Sequence, residues 1–143
     1  MSNLNRHQIR QAAFQVLFAM NANQTLTAEE ASQAVLTMDQ FDAEEVEVVA
    51  VPDYLTFLVA GVTENQAALD EALTPYLKKG WQLSRLAKPD LIILRLGLFE
   101  MQNSTEAPSK VALNEALELA KQFTDDQAKG FINGVLSKFI ENK

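Results

Sequence analysis

Cysteine is absent from the 143-residue chain. That excludes disulfides, thiolate metal sites and a cysteine nucleophile, and it fits a reducing compartment. Histidine occurs once, at His7. One imidazole with no carboxylates at ligand spacing cannot hold zinc, so no metal is expected. Glycine and proline are scarce, at 5 and 4 residues, which excludes a fibrous or loop-dominated chain. No glycine-rich phosphate loop, nucleophile elbow or pair of zinc histidines occurs. No apolar run reaches the ~18 residues of a membrane span. The polar start, Met1 to Gln8, is not followed by the apolar stretch of a secretory leader. These absences predict a cytoplasmic protein with no cofactor, no membrane partner and no turnover.

What is present suits one globular domain, residues 1–143, with a single core: 48% of the residues are hydrophobic. The net charge is -7, from 12 basic and 19 acidic residues, which taken whole argues against nonspecific nucleic-acid binding. The distribution carries more information. Arg6, His7 and Arg10 precede the first acid, Glu29, whereas Glu29 to Glu47 holds seven acids and no base. The chain has a basic start and an acidic early stretch.

Helical periodicity dominates. A first helix is expected from about Asn5 to Asn21, capped by Asn5 or Ser2, with Ile9, Ala13, Val16, Leu17 and Met20 on one face. Thr27 with Glu30 reads as a capping box for a second helix, whose inner stripe would be Ala31, Ala34, Val35 and Met38. Asp39 to Val51 is acidic and β-branched; with no partner for a strand, it reads as a loop before Pro52, which suits the first turn of a third helix. That helix uses Leu55, Leu58, Val59 and Val62 and kinks or breaks near Thr63 to Asn65. A fourth follows through Leu69, Leu73, Tyr76 and Leu77, its last turn distorted by Pro75. Lys78 to Lys88 is a connector. Pro89 opens a fifth helix, apolar almost all round and therefore central. Ser109 is expected to cap a sixth, to about Gln122, and Thr124 with Gln127 to form the capping box of a seventh, to about Ile140, with Ile132, Leu136, Phe139 and Ile140 inside. Asn133-Gly134 would suit a hairpin, but its flanks have helical period. The fold class is all-α, a bundle of about seven helices.

Two features invite a functional reading. On the first helix His7, Gln11, Phe14 and Phe18 fall in one stripe beside Arg6 and Arg10. Cations next to aromatic rings suit single-stranded RNA, because cations take phosphates and rings stack on bases. The plainer reading makes His7 a solvated residue and both phenylalanines ordinary core. Asp125-Asp126 resembles half of a metal site, but two acids in the first turn of a helix are explained by the helix dipole.

Four segments together resemble the NusB transcription antitermination family. Lys110-Val-Ala-Leu-Asn-Glu-Ala-Leu-Glu-Leu-Ala-Lys121 is similar to its KVAINEAxELAK stretch, and Phe131-Ile-Asn-Gly-Val-Leu136 to its FVNGVL. Trp81-x-Leu83-x-Arg85-Leu86 and Ile93-Leu-Arg-Leu96, with Glu100 beyond, resemble its WxLxRL…ILRLxxxE region. Arg10-Gln-Ala-Ala-Phe-Gln-Val-Leu17 is similar to its RxxAxQxL opening. The order and spacing agree from about Arg6 to Lys138.

The resemblance implies an all-helical domain that pairs with NusE, a small-subunit ribosomal protein. Together they would bind the boxA element of nascent ribosomal RNA within the RNA polymerase antitermination complex, so that polymerase passes terminators. It implies RNA contacts at Arg6, His7, Arg10, Phe18, Gln127, Lys129 and Phe131. It implies partner contacts at Trp81, Lys88 and Asp90, with core packing the alternative for Trp81. Departures from the family pattern bear on the charge. His7 stands where a further Arg is common, Phe18 where Tyr is frequent, Gln127 replaces an acid, Gly130 replaces a Lys, and Leu91 sits where a basic residue is common. Lys129, one position earlier than the lost Lys, points about 100° away on a helix. Asn114 and Glu115 are expected to cap or bridge helices rather than touch RNA.

Two other classes remain open on the residues alone. A similar domain precedes the catalytic domain of ribosomal RNA cytosine methyltransferases, but a chain stopping at Lys143 leaves no room for a methyl-donor site. A structural, oligomerising domain is the other, and an apolar Phe14 and Phe18 surface makes a homodimer a candidate.

Overall fold

A computed structural model of the chain describes residues 4–38, 48–77 and 81–141. Among these the regular structure is helical, with no strand. The helices are α1 (Arg6–Ala22), α2 (Ala28–Leu36), α3 (Asp53–Glu64), α4 (Gln66–Leu73), α5 (Lys88–Asn103), α6 (Ser109–Phe123) and α7 (Asp126–Glu141). Short 3-10 turns lie at Thr74–Tyr76 and Leu83–Arg85. The all-α expectation is met. Ser2, Asp39 to Glu47 and Lys78 to Gly80 lie outside the described residues.

Local chemistry explains most helix ends. Asn5 accepts the Gln8 N–H at 2.8 Å while the Gln8 side chain accepts the Asn5 N–H at 3.0 Å, a reciprocal cap at the start of α1. Thr27 and Glu30 do the same for α2, at 3.1 and 3.0 Å. Each pair satisfies two amides that would otherwise lack an intrahelical acceptor. The α3 break falls at Asn65, whose side-chain amide donates to the Gly61 carbonyl at 2.8 Å. Pro75 lies inside the 3-10 turn that ends α4, as its missing N–H and ring bulk require.

Two expected caps move. α7 is capped by Asp125, whose carboxylate accepts the Ala128 N–H at 2.8 Å. The Thr124 hydroxyl instead turns back to the Ala120 carbonyl at the end of α6. Thr124 therefore closes one helix and Asp125 opens the next. Likewise Ser109 is the first residue of α6, and Pro108 holds the cap position.

The chain divides into two compact units, Met1–Ala60 and Gly61–Lys143. In the first, α1 packs on α2. Ile9, Ala13, Val16, Leu17, Leu55, Leu58 and Val59 are buried. The inner face of α2 differs from the expected stripe: Ala31 and Ser32 are buried, whereas Ala34 and Met38 are exposed. The face that turns inward is thus rotated toward Ser32. Gln33 also explains why Val48 to Val51 is not a strand. Its side-chain amide donates to the Val49 carbonyl at 2.6 Å and its Oε1 accepts the Val49 N–H at 3.1 Å. One side chain meets both hydrogen-bonding needs that a neighbouring strand would otherwise meet.

In the second unit α5 packs against α4, α6 and α7, and α6 against α7. Leu91 to Leu94 and Leu96 to Met101 are buried, which confirms α5 as the central helix. Gly97 leaves room for α6 and α7: a Cβ there would lie 2.8 Å from Leu136 Cδ1 and 3.0 Å from Ala116 Cβ. Arg95 grips Asp70 through two parallel bonds, Nε to Oδ1 at 2.8 Å and Nη2 to Oδ2 at 2.9 Å, and ties α5 to α4. The fork geometry of guanidinium on carboxylate makes this a directional brace as well as a charge pair. Tyr76 meets Phe139 edge-on at 4.9 Å, so both rings are half-buried rather than core.

Candidate nucleic-acid and partner interface

The α1 stripe separates into core and surface. Phe14 is buried and Phe18 is 41% exposed, though their rings lie nearly parallel, 17° apart with centroids at 5.9 Å. Phe14 backs Phe18 and leaves it presented outward. Arg6 is exposed, and its guanidinium carbon lies 4.2 Å from the centroid of the Tyr54 ring. That cation–π contact restrains a side chain that would otherwise sample many rotamers. His7 is half-buried. Arg10 is the exception among the expected phosphate ligands: it is 6% exposed. At that burial Arg10 offers almost no surface to a phosphate. Tyr54, which orients Arg6, is far away in the sequence and carried no local signal.

The second candidate region is a cavity of about 570 Å³ in the second unit. Trp81, Arg85 and Leu86 line it from the connector, Asp90 from the first turn of α5, and Phe123, Asp125, Gln127 and Phe131 from the end of α6 and the start of α7. Trp81 is 50% exposed, which overturns the core reading of that residue. Its ring stands 5.8 Å from Phe131 at 38°. Residues expected to meet a protein partner, Trp81 and Asp90, thus share one cavity with residues expected to meet RNA, Gln127 and Phe131. Lys129 is half-buried and Lys88 exposed, and neither lines the cavity. Asn114 is exposed in the middle of α6, so it does not cap a helix. Arg85 and Phe123 carry no site reading in the sequence, and Asp125 reads there as a helix-dipole acid. Only chain folding brings them to the same place as Asp90.

Burial raises the Asp90 carboxyl above its usual value of 3.8, and the negative charge of Asp125 adds to the rise. A carboxyl raised on folding binds its proton more tightly in the folded state. Its charged form therefore costs stability above that pKa, and the cost is relieved as pH falls through it. The substitution Asp90→Asn should raise the melting temperature at neutral pH. The advantage over the native protein should shrink on acidification. Thermal unfolding of both proteins across pH checks this; an Asn variant less stable at neutral pH would contradict the repulsion.

Among the described residues no group of three or more His, Cys, Asp or Glu is placed to hold a metal ion. No described helix is long and apolar enough to cross a membrane.

Comparison with known proteins gives a consistent picture. A sequence model of the NusB family matches residues 7–141. The transcription antitermination protein NusB of Latilactobacillus sakei subsp. sakei (strain 23K) is 87% identical over 141 residues, covering 99% of each chain. That of Lactiplantibacillus plantarum is 48% identical over 141 residues, covering 99% of this chain and 98% of the relative. Among solved structures, T. maritima NusB superposes with a TM-score of 0.80 at 26% identity, covering 96% of this chain and 91% of that one. A structure of the antitermination factors NusB and NusE with dsRNA shares the fold, with a TM-score of 0.76 at 21% identity, covering 96% of this chain and 97% of that one.

Proposed function

Since the chain belongs to the NusB family, we propose that it is a transcription antitermination factor that binds boxA RNA of nascent ribosomal RNA transcripts together with NusE. The observation that carries this reading is 87% identity to an antitermination protein along 99% of both chains. The solved complex of a protein of this fold with NusE and RNA supports the pairing of partner and nucleic acid. The function is binding, not catalysis. It is exercised in the cytoplasm, in the antitermination complex that helps RNA polymerase read through terminators.

On α1 the phosphate contact falls to Arg6, assisted by His7, and Phe18 is the stacking platform. Arg10 is buried and leaves that contact to Arg6. Gln127, Lys129 and Phe131 at the start of α7 are the further RNA contacts, and Trp81, Lys88 and Asp90 are the partner contacts.

Binding of a short boxA RNA, with and without NusE, against a scrambled RNA tests the whole reading. Tighter binding of boxA in the presence of NusE is expected. Because few cations are engaged, affinity should fall with salt along a shallow slope. No preference over the scrambled RNA in either condition would defeat the proposal. A second reading, that copies of the chain pair through the exposed Phe18 face, is favoured by that exposure alone. A mass that rises with concentration in light scattering supports it, and a strict monomer removes it.

A further inference from the structure

We propose that the cavity lined by Trp81, Asp90, Asp125 and Phe131 receives the guanidinium group of an arginine side chain carried by the protein partner. This deepens the partner reading above and rests on it. The walls are aromatic: Trp81 and Phe131 stand 5.8 Å apart, and Phe123 lines the same space. Half of the Trp81 surface is exposed. The polar lining includes two carboxylates, Asp90 and Asp125, beside Thr124 and Gln127. Asp125 spends Oδ1 on the Ala128 N–H at the α7 cap. Asp90 feels the negative charge of Asp125. Arg85 lines the cavity too, but it is exposed and forms no ion pair with either acid among the described residues.

A guanidinium meets each of these features at once. Its plane stacks on indole and phenyl faces, and its forked donors match a carboxylate. Its charge removes the repulsion between Asp90 and Asp125. A lysine ammonium satisfies the carboxylates but lacks the plane that the rings select. A phosphate backbone meets two negative charges and is disfavoured. The cavity therefore suits the protein partner better than a nucleic-acid backbone.

Trp81 is the only tryptophan of the chain, so its fluorescence reports the cavity directly. The full-length protein is titrated with a capped Gly-Arg-Gly peptide and with its citrulline counterpart, which keeps the shape and loses the charge. A saturable change with arginine, about tenfold tighter than with citrulline, is expected. Asp90→Asn should weaken the arginine peptide by about tenfold and weaken NusE binding in parallel, while binding of boxA RNA to the protein alone stays unchanged. Equal responses to the two peptides overturn the proposal, as does an Asp90→Asn variant that folds and binds arginine like the native protein. A short boxA RNA that saturates the Trp81 signal and displaces the peptide also overturns it and assigns the cavity to nucleic acid. A native protein that binds no NusE defeats the partner reading, and the peptide titration then judges the cavity by itself.

Discussion

Replacing Gly61 with alanine should destabilise the protein by about 3 kcal/mol, against the general rule that alanine improves a helix. Gly61 lies inside α3, and a Cβ built there would fall 2.0 Å from Phe99 Cζ and 2.3 and 2.4 Å from the two Cε atoms. The tip of the Phe99 ring points straight at the glycine. Phe99 is 5% exposed, and it belongs to the central helix α5, so the ring has nowhere to retreat. In a close-packed interior such an overlap is relieved only by backbone movement or an unfavourable rotamer. Gly130, inside α7, is the contrasting case, because nothing lies within 4 Å of its Cβ position. There Gly130→Ala should stabilise by up to about 1 kcal/mol through helix propensity alone. Urea unfolding of the two variants measures both signs. A Gly61→Ala protein as stable as the native one would mean that Phe99 is far less constrained than its burial implies. Shortening the ring in a Gly61→Ala, Phe99→Leu double variant should recover part of the loss, since the two residues are in direct contact and their effects are not additive.

Removal of the Phe18 ring should be the largest single loss in RNA binding. Base stacking on an aromatic side chain contributes about 1–3 kcal/mol per base, so Phe18→Ala should weaken boxA binding roughly tenfold to a hundredfold. The fold should lose no more than about 1 kcal/mol, the scale of the parallel contact with Phe14. Phe18→Tyr restores the residue frequent in the family and adds a hydroxyl, so it should bind at least as well as the native protein. Unchanged RNA affinity in Phe18→Ala, with the helical signal intact, would remove Phe18 from the interface. Phe14→Ala makes the opposite control: Phe14 is buried, so the main effect should be on stability, by roughly 3 kcal/mol or more.

Helix positions were readable residue by residue because their causes are local. The Asn5–Gln8 and Thr27–Glu30 boxes span three residues, and the amides they satisfy lie within the same turn. Pro75 and the break at Asn65 act on their own backbone. The apolar wrap of α5 declares a buried helix whatever its neighbours are. Cap assignment failed where two helices share a short joint. Thr124 and Asp125 are equally good caps, and the choice depends on Thr124 having an acceptor, the Ala120 carbonyl, behind it.

Side-chain exposure was not readable in the same way. Phe14 and Phe18 lie on one stripe of α1, as do Arg6 and Arg10 four residues apart on another, yet one member of each pair is buried and the other exposed. A helical wheel gives the angle of a residue but not how far along the helix the neighbouring elements reach. The same limit rotated the inner face of α2 toward Ser32. Helical class, most helix boundaries and family membership follow from composition, periodicity and motif order, because those rest on interactions within a few residues and on patterns carried by the chain itself. Tertiary structure alone decided that Arg6 and not Arg10 reaches the surface. It also decided that Tyr54 holds Arg6, and that Trp81, Asp90, Asp125 and Phe131 share one cavity. Each of these depends on residues far apart in sequence being brought together by packing, for which no local energy term exists.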